Sequence, residues 1–448
     1  MKILIHKNRL LLVFSTIAYV AIFQWTYERL VAPRYDYWGL SYDPIPFPYL
    51  QISWVLAIFP ATWMPIKLRR PSQLLFFIQY FVIFIPSCFI LYYSSKPEIP
   101  AEEALYLILI MFCGLSIIQS FYSFPLLRLN YPRMKSVPFW FLFFCAITVL
   151  IGYILFTLGR NFNIANFEDI YDVRSIASDI VEGTGSRFGF YAQMWLAGFF
   201  FPVCFAVGLF GKRIWLIVLS GVGYLILFGI FGDKTSILSF ILFPLVYFWV
   251  SFSRKEALSV FILGLSLLLV LGIVFEKSGF SLLSLWYIAV VHFRTFSIPA
   301  LTIVQYYDFF IHNPVTMMSH VNGINMLVHF PYDMNVPYTI GNYYYGSLLD
   351  ANAGMWAGDG LAGFGPFGII IMSIACGILF WVLDCISKPL DTRFVVVAIT
   401  FIAMSFGNAS LSTVIVSGGI GFLLVALFVL PKGGVLRGAY FKKRIEIK

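Results

Sequence analysis

Five basic residues stand apart from most of the positive charge in this chain: Arg160, Arg174, Arg187, Lys234 and Arg294. Two of them lie in the polar stretch "YDVRSIASDIVEGTGSR", which sits between two of the most apolar stretches of the protein. Lys234 follows an aspartate in "GIFGDKTSIL". Arginine presents a planar fork of donors that matches phosphate oxygens in pairs, and lysine adds a compact charge. A cluster of these side chains suits a phosphate or a diphosphate. The competing reading is a set of separate ion pairs, because Glu168, Asp169, Asp172, Asp179 and Glu182 surround Arg174 and Arg187, and Asp233 adjoins Lys234. Exposed pairs of that kind are common and nearly neutral in energy.

Proton carriers fall later in the chain. His312, His320 and His329 are candidate general bases, though no spacing singles one out, and each has an equally simple structural reading. Asp359, in "MWAGDGLAGFG" at the start of an apolar run, is the stronger candidate. A carboxylate there needs a partner, and one of the separate arginines would serve. Asp350 is the weaker acid. The surrounding segment is dense in Tyr, Asn, Gly and His, which suits sugar binding through aromatic faces and hydrogen bonds; it equally suits an ordered loop at the lipid headgroup level. Its glycines (Gly354, Gly358, Gly360, Gly363, Gly365, Gly368) fit close helix packing first and close approach to a ligand second. The sequence holds no P-loop, no GxGxxG after a strand, no HExxH, no CxxC and no DxD. That disfavours an enzyme driven by ATP or a nucleotide sugar, so the substrate is expected from the membrane or from outside the cell.

The elements that must position these residues are membrane helices. The chain of 448 residues is 60% hydrophobic and only 11% charged, where a soluble domain carries about 25% charged residues. Apolar runs long enough to cross a roughly 30 Å hydrocarbon core recur from end to end. They are drawn at about 10–27, 48–66, 73–95, 104–124, 137–159, 188–210, 214–231, 237–252, 257–276, 361–383, 394–412 and 413–430. This is an all-α, polytopic membrane protein of about twelve helices, forming one transmembrane domain over residues 1–448. The N-terminal "MKILIHKNRLLLVFSTIAYVAIF" reads as a retained first helix rather than a removed signal. All six cysteines fall inside or at the edge of apolar runs and read as small core residues without a disulfide framework.

The connecting segments alternate in charge. One set, with Lys2, Lys7 and Arg9 at one end and the tail "KGGVLRGAYFKKRIEIK" at the other, holds 21 of the 30 basic residues. The positive-inside rule makes that set cytoplasmic, with both termini inside. The basic balance therefore records membrane orientation, and no nucleic-acid module is present. Two enlarged segments face outward, at about 160–187 and 277–360. Within the second, "FSLLSLWYIAVV" (280–291) is too short to span and reads as a re-entrant or interfacial helix.

With loops and charges placed, the chain resembles the Wzy-type O-antigen polymerases. Arg174 and Gly185 satisfy that family's arginine, ten residues, glycine pattern; after Arg294 the equivalent position is Gln305, which leaves the glycine's role there open. "FGDKTSIL" resembles a helix turn where related polymerases and ligases carry a basic residue, here Lys234, and "DANAGMWAGDGLAGFGPFG" is similar to the family's entry to a late helix. The resemblance implies a GT-C-like fold in the bacterial inner membrane with its active face in the periplasm. It implies a glycosyltransferase that needs no metal or other cofactor and joins oligosaccharide repeat units carried on undecaprenyl pyrophosphate, working with a chain-length regulator. Arg174, Arg187, Lys234, Arg294 and Arg160 would bind the two diphosphate headgroups, with Asp359 or His320 as the base. An O-antigen ligase has a similar layout and stays open. A flippase is disfavoured because the apolar spans are nearly free of charge, and a pure scaffold gives no reason for the separate basic residues.

Overall fold

The computed structural model describes residues 7–163, 176–177, 180–181, 188–252, 257–278, 281–321, 323–347, 349–352 and 355–432. Every regular element among them is helical, and Leu40 and Ser94 form an isolated antiparallel β-bridge. Apolar side chains that cannot pay for burial singly are enclosed by neighbouring helices or left facing outward, as expected where lipid replaces water. In chain order the helices are α1 (Lys7–Trp38), α2 (Phe47–Thr62), α3 (Gln73–Tyr93), α4 (Ala101–Ser123), α5 (Ser136–Asn161), α6 (Phe188–Gly211), α7 (Ile214–Phe231) and α8 (Lys234–Phe252). There follow α9 (Ala257–Lys277) and α10 (Leu282–His312), the short α11 (Val336–Tyr345) and α12 (Met355–Phe364), then α13 (Pro366–Ser387), the short α14 (Thr392–Ala398) and α15 (Thr400–Ser405), and α16 (Leu411–Val429). Among the described residues, 11 of these are long and apolar enough to cross a membrane. The chain is a multi-pass helical membrane protein.

Two of the expected spans differ, as does one segment expected to lie outside. The span expected at 48–66 is α2, shortened because Pro60 turns its last residues into a 3₁₀ turn. The span expected at 394–412 is broken into α14 and α15 at Ile399 (φ −94°, ψ 4°), and Phe394–Ala403 are buried throughout. Irregular backbone at membrane depth is tolerated where protein surrounds it. The third is α10. The short apolar run at 280–291 continues as one helix of 31 residues through "HFRTFSIPALTIVQYYDFFIH", so much of the outer segment expected at 277–360 is helix. The cysteines divide as well: Cys88, Cys204, Cys376 and Cys385 are buried as expected, while Cys113 and Cys145 lie exposed on the outer surface of the bundle, and all six are free thiols.

Contacts between helix ends sort the chain onto two faces. On the first, the Arg9 guanidinium donates to the carbonyls of Ala61 and Met64, and Ser72 donates to buried Asp384 from its hydroxyl (2.8 Å) and its N–H (3.2 Å). Lys388 reaches the Leu126 carbonyl (3.0 Å), and Arg133 reaches those of Leu427 and Leu430 (3.2 and 3.0 Å). The described basic loops meet here. On the second face, Arg34 pairs with Glu276 at 2.6 Å, Lys96 donates to the Tyr37 carbonyl (2.8 Å), and the Asn163 N–H donates to the Gly229 carbonyl (2.9 Å).

Helix α10 starts and finishes on that second face. At its start the Tyr287 ring lies 4.9 Å from that of Phe275, near the end of α9. Its middle dips inward, with the Phe296 ring 6.5 Å from that of Tyr19 and Phe296–Val304 buried. Further on, fully buried Gln305 donates to the Lys96 carbonyl (3.0 Å) and the Tyr345 hydroxyl (2.7 Å), while Tyr345 donates to the Trp38 carbonyl (3.0 Å).

Candidate functional site

Lys234 owes its place to the turn between α7 and α8. Gly232 ends α7 in the left-handed region (φ +60°), which only glycine enters without steric cost, and its N–H closes onto the Phe228 carbonyl. Asp233 then caps α8: one carboxylate oxygen accepts from the Thr235 N–H (2.9 Å) and the other from the Ser236 hydroxyl (3.0 Å). The acid that a simple ion pair would use is thus engaged with the helix. The Lys234 ammonium lies 4.3 Å from the centre of the Trp286 ring on α10, a cation–π contact.

Arg294 lies two turns further along α10, in a π-helical segment (Ile288–Ser297). Its neighbour Phe293 is clamped, stacked on Tyr35 at 4.1 Å and edge-on to Trp38 at 5.5 Å, so the backbone beneath Arg294 is fixed while its own side chain is exposed. Arg160 is exposed on the last turn of α5, whose end is joined to α7 by the Asn163–Gly229 hydrogen bond. Neither arginine has a hydrogen-bond or ion-pair partner among the described residues. The second face therefore carries Arg160 at the end of α5, Lys234 at the start of α8 and Arg294 within α10. Arg174 and Arg187 lie outside the described residues.

Asp359 sits on α12, only 6% exposed, and one of its oxygens accepts the Leu411 N–H at 2.6 Å. The partner expected for it was an arginine; the structure supplies a backbone N–H at the start of α16. Its other oxygen makes no hydrogen bond among the described residues. Burial pushes its pKa up to about 6, and the Leu411 N–H pulls it part of the way back. Helix α12 comes close to α13 because Gly360 and Gly368 face each other: a Cβ on Gly368 would stand 1.9 Å from the Gly360 carbonyl oxygen. For this pair the close-packing role of the glycines holds.

His320 is tied to the same short helix. The Thr316 hydroxyl donates its single hydrogen to the Ala362 carbonyl (2.9 Å), so its 2.7 Å contact with His320 Nδ1 requires the ring hydrogen at Nδ1. Nε2 is left as an acceptor, buried and without a partner. Burial lowers the imidazole pKa to about 4, which keeps the ring neutral. His312 is engaged by Asp308, 3.6 Å from its carboxylate, and His329 offers its carbonyl to Ser319. Asp350 accepts from Asn352 (2.8 Å). Among the described residues no three His, Cys, Asp or Glu side chains converge as a metal-binding group.

Arg29, Arg34 and Lys96 of the second face escaped the sequence reading. Arg34 and Arg29 both reach Glu276, at 2.6 and 3.6 Å. Their signal was present, since "ERLVAPR" follows the first apolar run on the acid-rich side. Comparison of the chain with protein-family models, with curated proteins and with solved structures finds no match.

Proposed function

We propose that this protein is a glycosyltransferase that polymerises oligosaccharide repeat units carried on undecaprenyl pyrophosphate, at the periplasmic face of a bacterial inner membrane. The observation that carries the reading is the charge on the second face. Arg160 and Arg294 stand exposed and without partners among the described residues, on the face opposite the basic loops, where membrane proteins otherwise avoid positive charge. An anionic headgroup is the ligand that compensates them, and a diphosphate matches the guanidinium fork.

The chemistry follows from that placement. The acceptor hydroxyl of the newest repeat unit loses its proton to a base. Its oxygen attacks the anomeric carbon of the growing chain's first sugar. The bond from that carbon to the lipid diphosphate breaks, and the electron pair leaves with the diphosphate, where Lys234, Arg160 and Arg294 offset the developing charge. Arg174 and Arg187 would extend the same cluster. Asp359, with a pKa near 6 and one oxygen unengaged, is the base of choice, since a carboxylate raised toward neutrality both accepts and releases protons efficiently. His320, neutral with a bare Nε2, is the second candidate. A chain-length regulator is the expected protein partner.

Deletion of the gene followed by electrophoresis of surface lipopolysaccharide tests this directly. Loss of a polymerase leaves lipid A core carrying one repeat unit, whereas loss of a ligase leaves bare core. An unchanged ladder rejects both activities. Complementation with Arg160→Ala, Lys234→Ala and Arg294→Ala is expected to give shortened ladders, and full ladders from all three would remove the phosphate role.

A further inference from the structure

The segment between α10 and α11 has a property that the proposed reaction does not use. Residues 313–332 contain no Lys, Arg, Asp or Glu. A surface loop of that length without a charged side chain is unusual on a water-facing surface, where solvation favours charge. At its tip Met326 and Leu327 are each 88% exposed, and Met317 is 58% exposed. Large apolar side chains displayed this fully mark a surface that meets something other than water.

The loop is built to hold that display rigidly. The Tyr332 hydroxyl donates to the Pro314 carbonyl and closes its base, and the Tyr332 ring packs among Phe309, Phe310 and Phe330. Successive turns run through the tip, from Val321 N–H to the Met318 carbonyl, Ile324 N–H to Val321, and Leu327 N–H to Ile324. Met317 and Met318 both adopt left-handed backbone (φ +48° and +64°), a conformation that side chains with a Cβ avoid and that persists only where the surroundings enforce it.

The loop is also pinned at a defined depth. The N–H groups of Thr316 and Met317 donate to the carbonyls of Ala362 and Gly363 (2.8 and 2.9 Å), three or four residues before Pro366 opens the membrane-length helix α13. Phe364 and Phe367, on either side of that junction, are exposed too (39% and 68%). The uncharged loop is therefore level with the point where the chain enters the bilayer.

We infer that residues 313–332 form an interfacial element whose tip, Met326 and Leu327, inserts into the lipid leaflet on the second face. Lipid is the occupant that fits an uncharged, apolar, rigid tip fixed at the start of a span, since such side chains gain from burial at the headgroup and acyl boundary. His320 lies in the same loop and Asp359 on the helix that anchors it, so the element places the lipid boundary beside the candidate proton carriers. The inference stands independently of the enzymatic reading.

Site-directed spin labelling of the full chain in phospholipid nanodiscs tests it. In a Cys113→Ala, Cys145→Ala background, nitroxides are attached at Met326→Cys or Leu327→Cys, with Ile378→Cys on lipid-facing α13 and Asp333→Cys as reference sites. The expected result is that collisions with oxygen exceed those with a water-soluble nickel chelate at 326 and 327 by a ratio like that at 378. A ratio like that at 333 overturns the inference and leaves the tip to a protein partner. Hydroxyl-radical footprinting of the unmodified protein in nanodiscs gives a second reading free of substitutions. Met326 is expected to oxidise several-fold more slowly than its exposure implies, and oxidation at the rate of a freely solvated methionine overturns the proposal.

Discussion

Replacing Asp359 by asparagine should make the protein more stable at neutral pH. The carboxyl is buried, and its pKa stands at about 6 against an ordinary value of 3.8. In this window the folded state keeps a proton that the unfolded chain has released, so stability falls as pH rises from about 4 to about 6. At about 1.4 kcal/mol per pH unit, the ionised carboxylate costs the fold about 3 kcal/mol above pH 6. Asparagine imitates the protonated acid: its oxygen accepts the Leu411 N–H and it carries no charge at any pH. Its extra N–H₂ group adds an offset that does not depend on pH. The assay is thermal unfolding in detergent or nanodiscs at half-unit steps from pH 4 to 8, read as the difference in apparent Tm between Asp359→Asn and the wild type. That difference should move in favour of the variant by a few degrees between pH 4 and 6.5 and then level off. A difference that stays flat across the window would refute the reasoning, because it would mean that Asp359 titrates alike in the folded and unfolded states. The same variant should lose polymerising activity while remaining folded, the signature of a functional acid held at a cost in stability.

Three further outcomes follow from the geometry. Gly368→Ala places a Cβ 1.9 Å from the Gly360 carbonyl oxygen and must force α12 from α13, at a cost at or above the usual 1–3 kcal/mol of overpacking, whereas Gly264→Ala, with nothing within 4 Å, should leave the melting temperature unchanged. Gln305→Leu removes the donor to the Lys96 carbonyl and the Tyr345 hydroxyl, which keeps its own bond to the Trp38 carbonyl, at about 1–3 kcal/mol in all, and hydrogen exchange should rise in α10 and α11 before the rest of the bundle. Arg294→Ala should leave the melting temperature within a degree or so of wild type, because the side chain has no partner among the described residues, yet should raise the KM for the lipid-linked substrate about tenfold or more.

The parts of the fold that were legible in the sequence are those set by one-dimensional patterns. Long apolar runs became membrane-length helices, and the basic loops that were described gathered on one face through contacts such as Arg9 to Met64 and Arg133 to Leu430. What escaped depends on tertiary partners. Helix α10 was read short because His292, Arg294, Ser297 and Gln305 interrupt its apolar pattern. Yet the Ser297 hydroxyl bonds back to the His292 carbonyl and the Gln305 N–H₂ group donates to Lys96 and Tyr345, so these donors find partners within a buried helix, while Gln305 Oε1 has none among the described residues. The break at Ile399 has no glycine or proline to announce it and lies where neighbouring helices enclose the backbone. At the candidate site, residue types singled out Lys234, Arg294 and Asp359 as candidates, but no sequence pattern reveals that the partner of a carboxylate is a backbone N–H 52 residues away.

The central claim is most directly tested by reconstituting the purified protein in nanodiscs with undecaprenyl-pyrophosphate-linked repeat units as the sole glycan substrate. The account predicts a ladder of lipid-linked products differing by one repeat unit, with one undecaprenyl pyrophosphate released per bond formed and both signals lost in Asp359→Asn. Unchanged single-unit substrate, under conditions in which the protein is folded and a cell extract containing it produces the ladder, would contradict it.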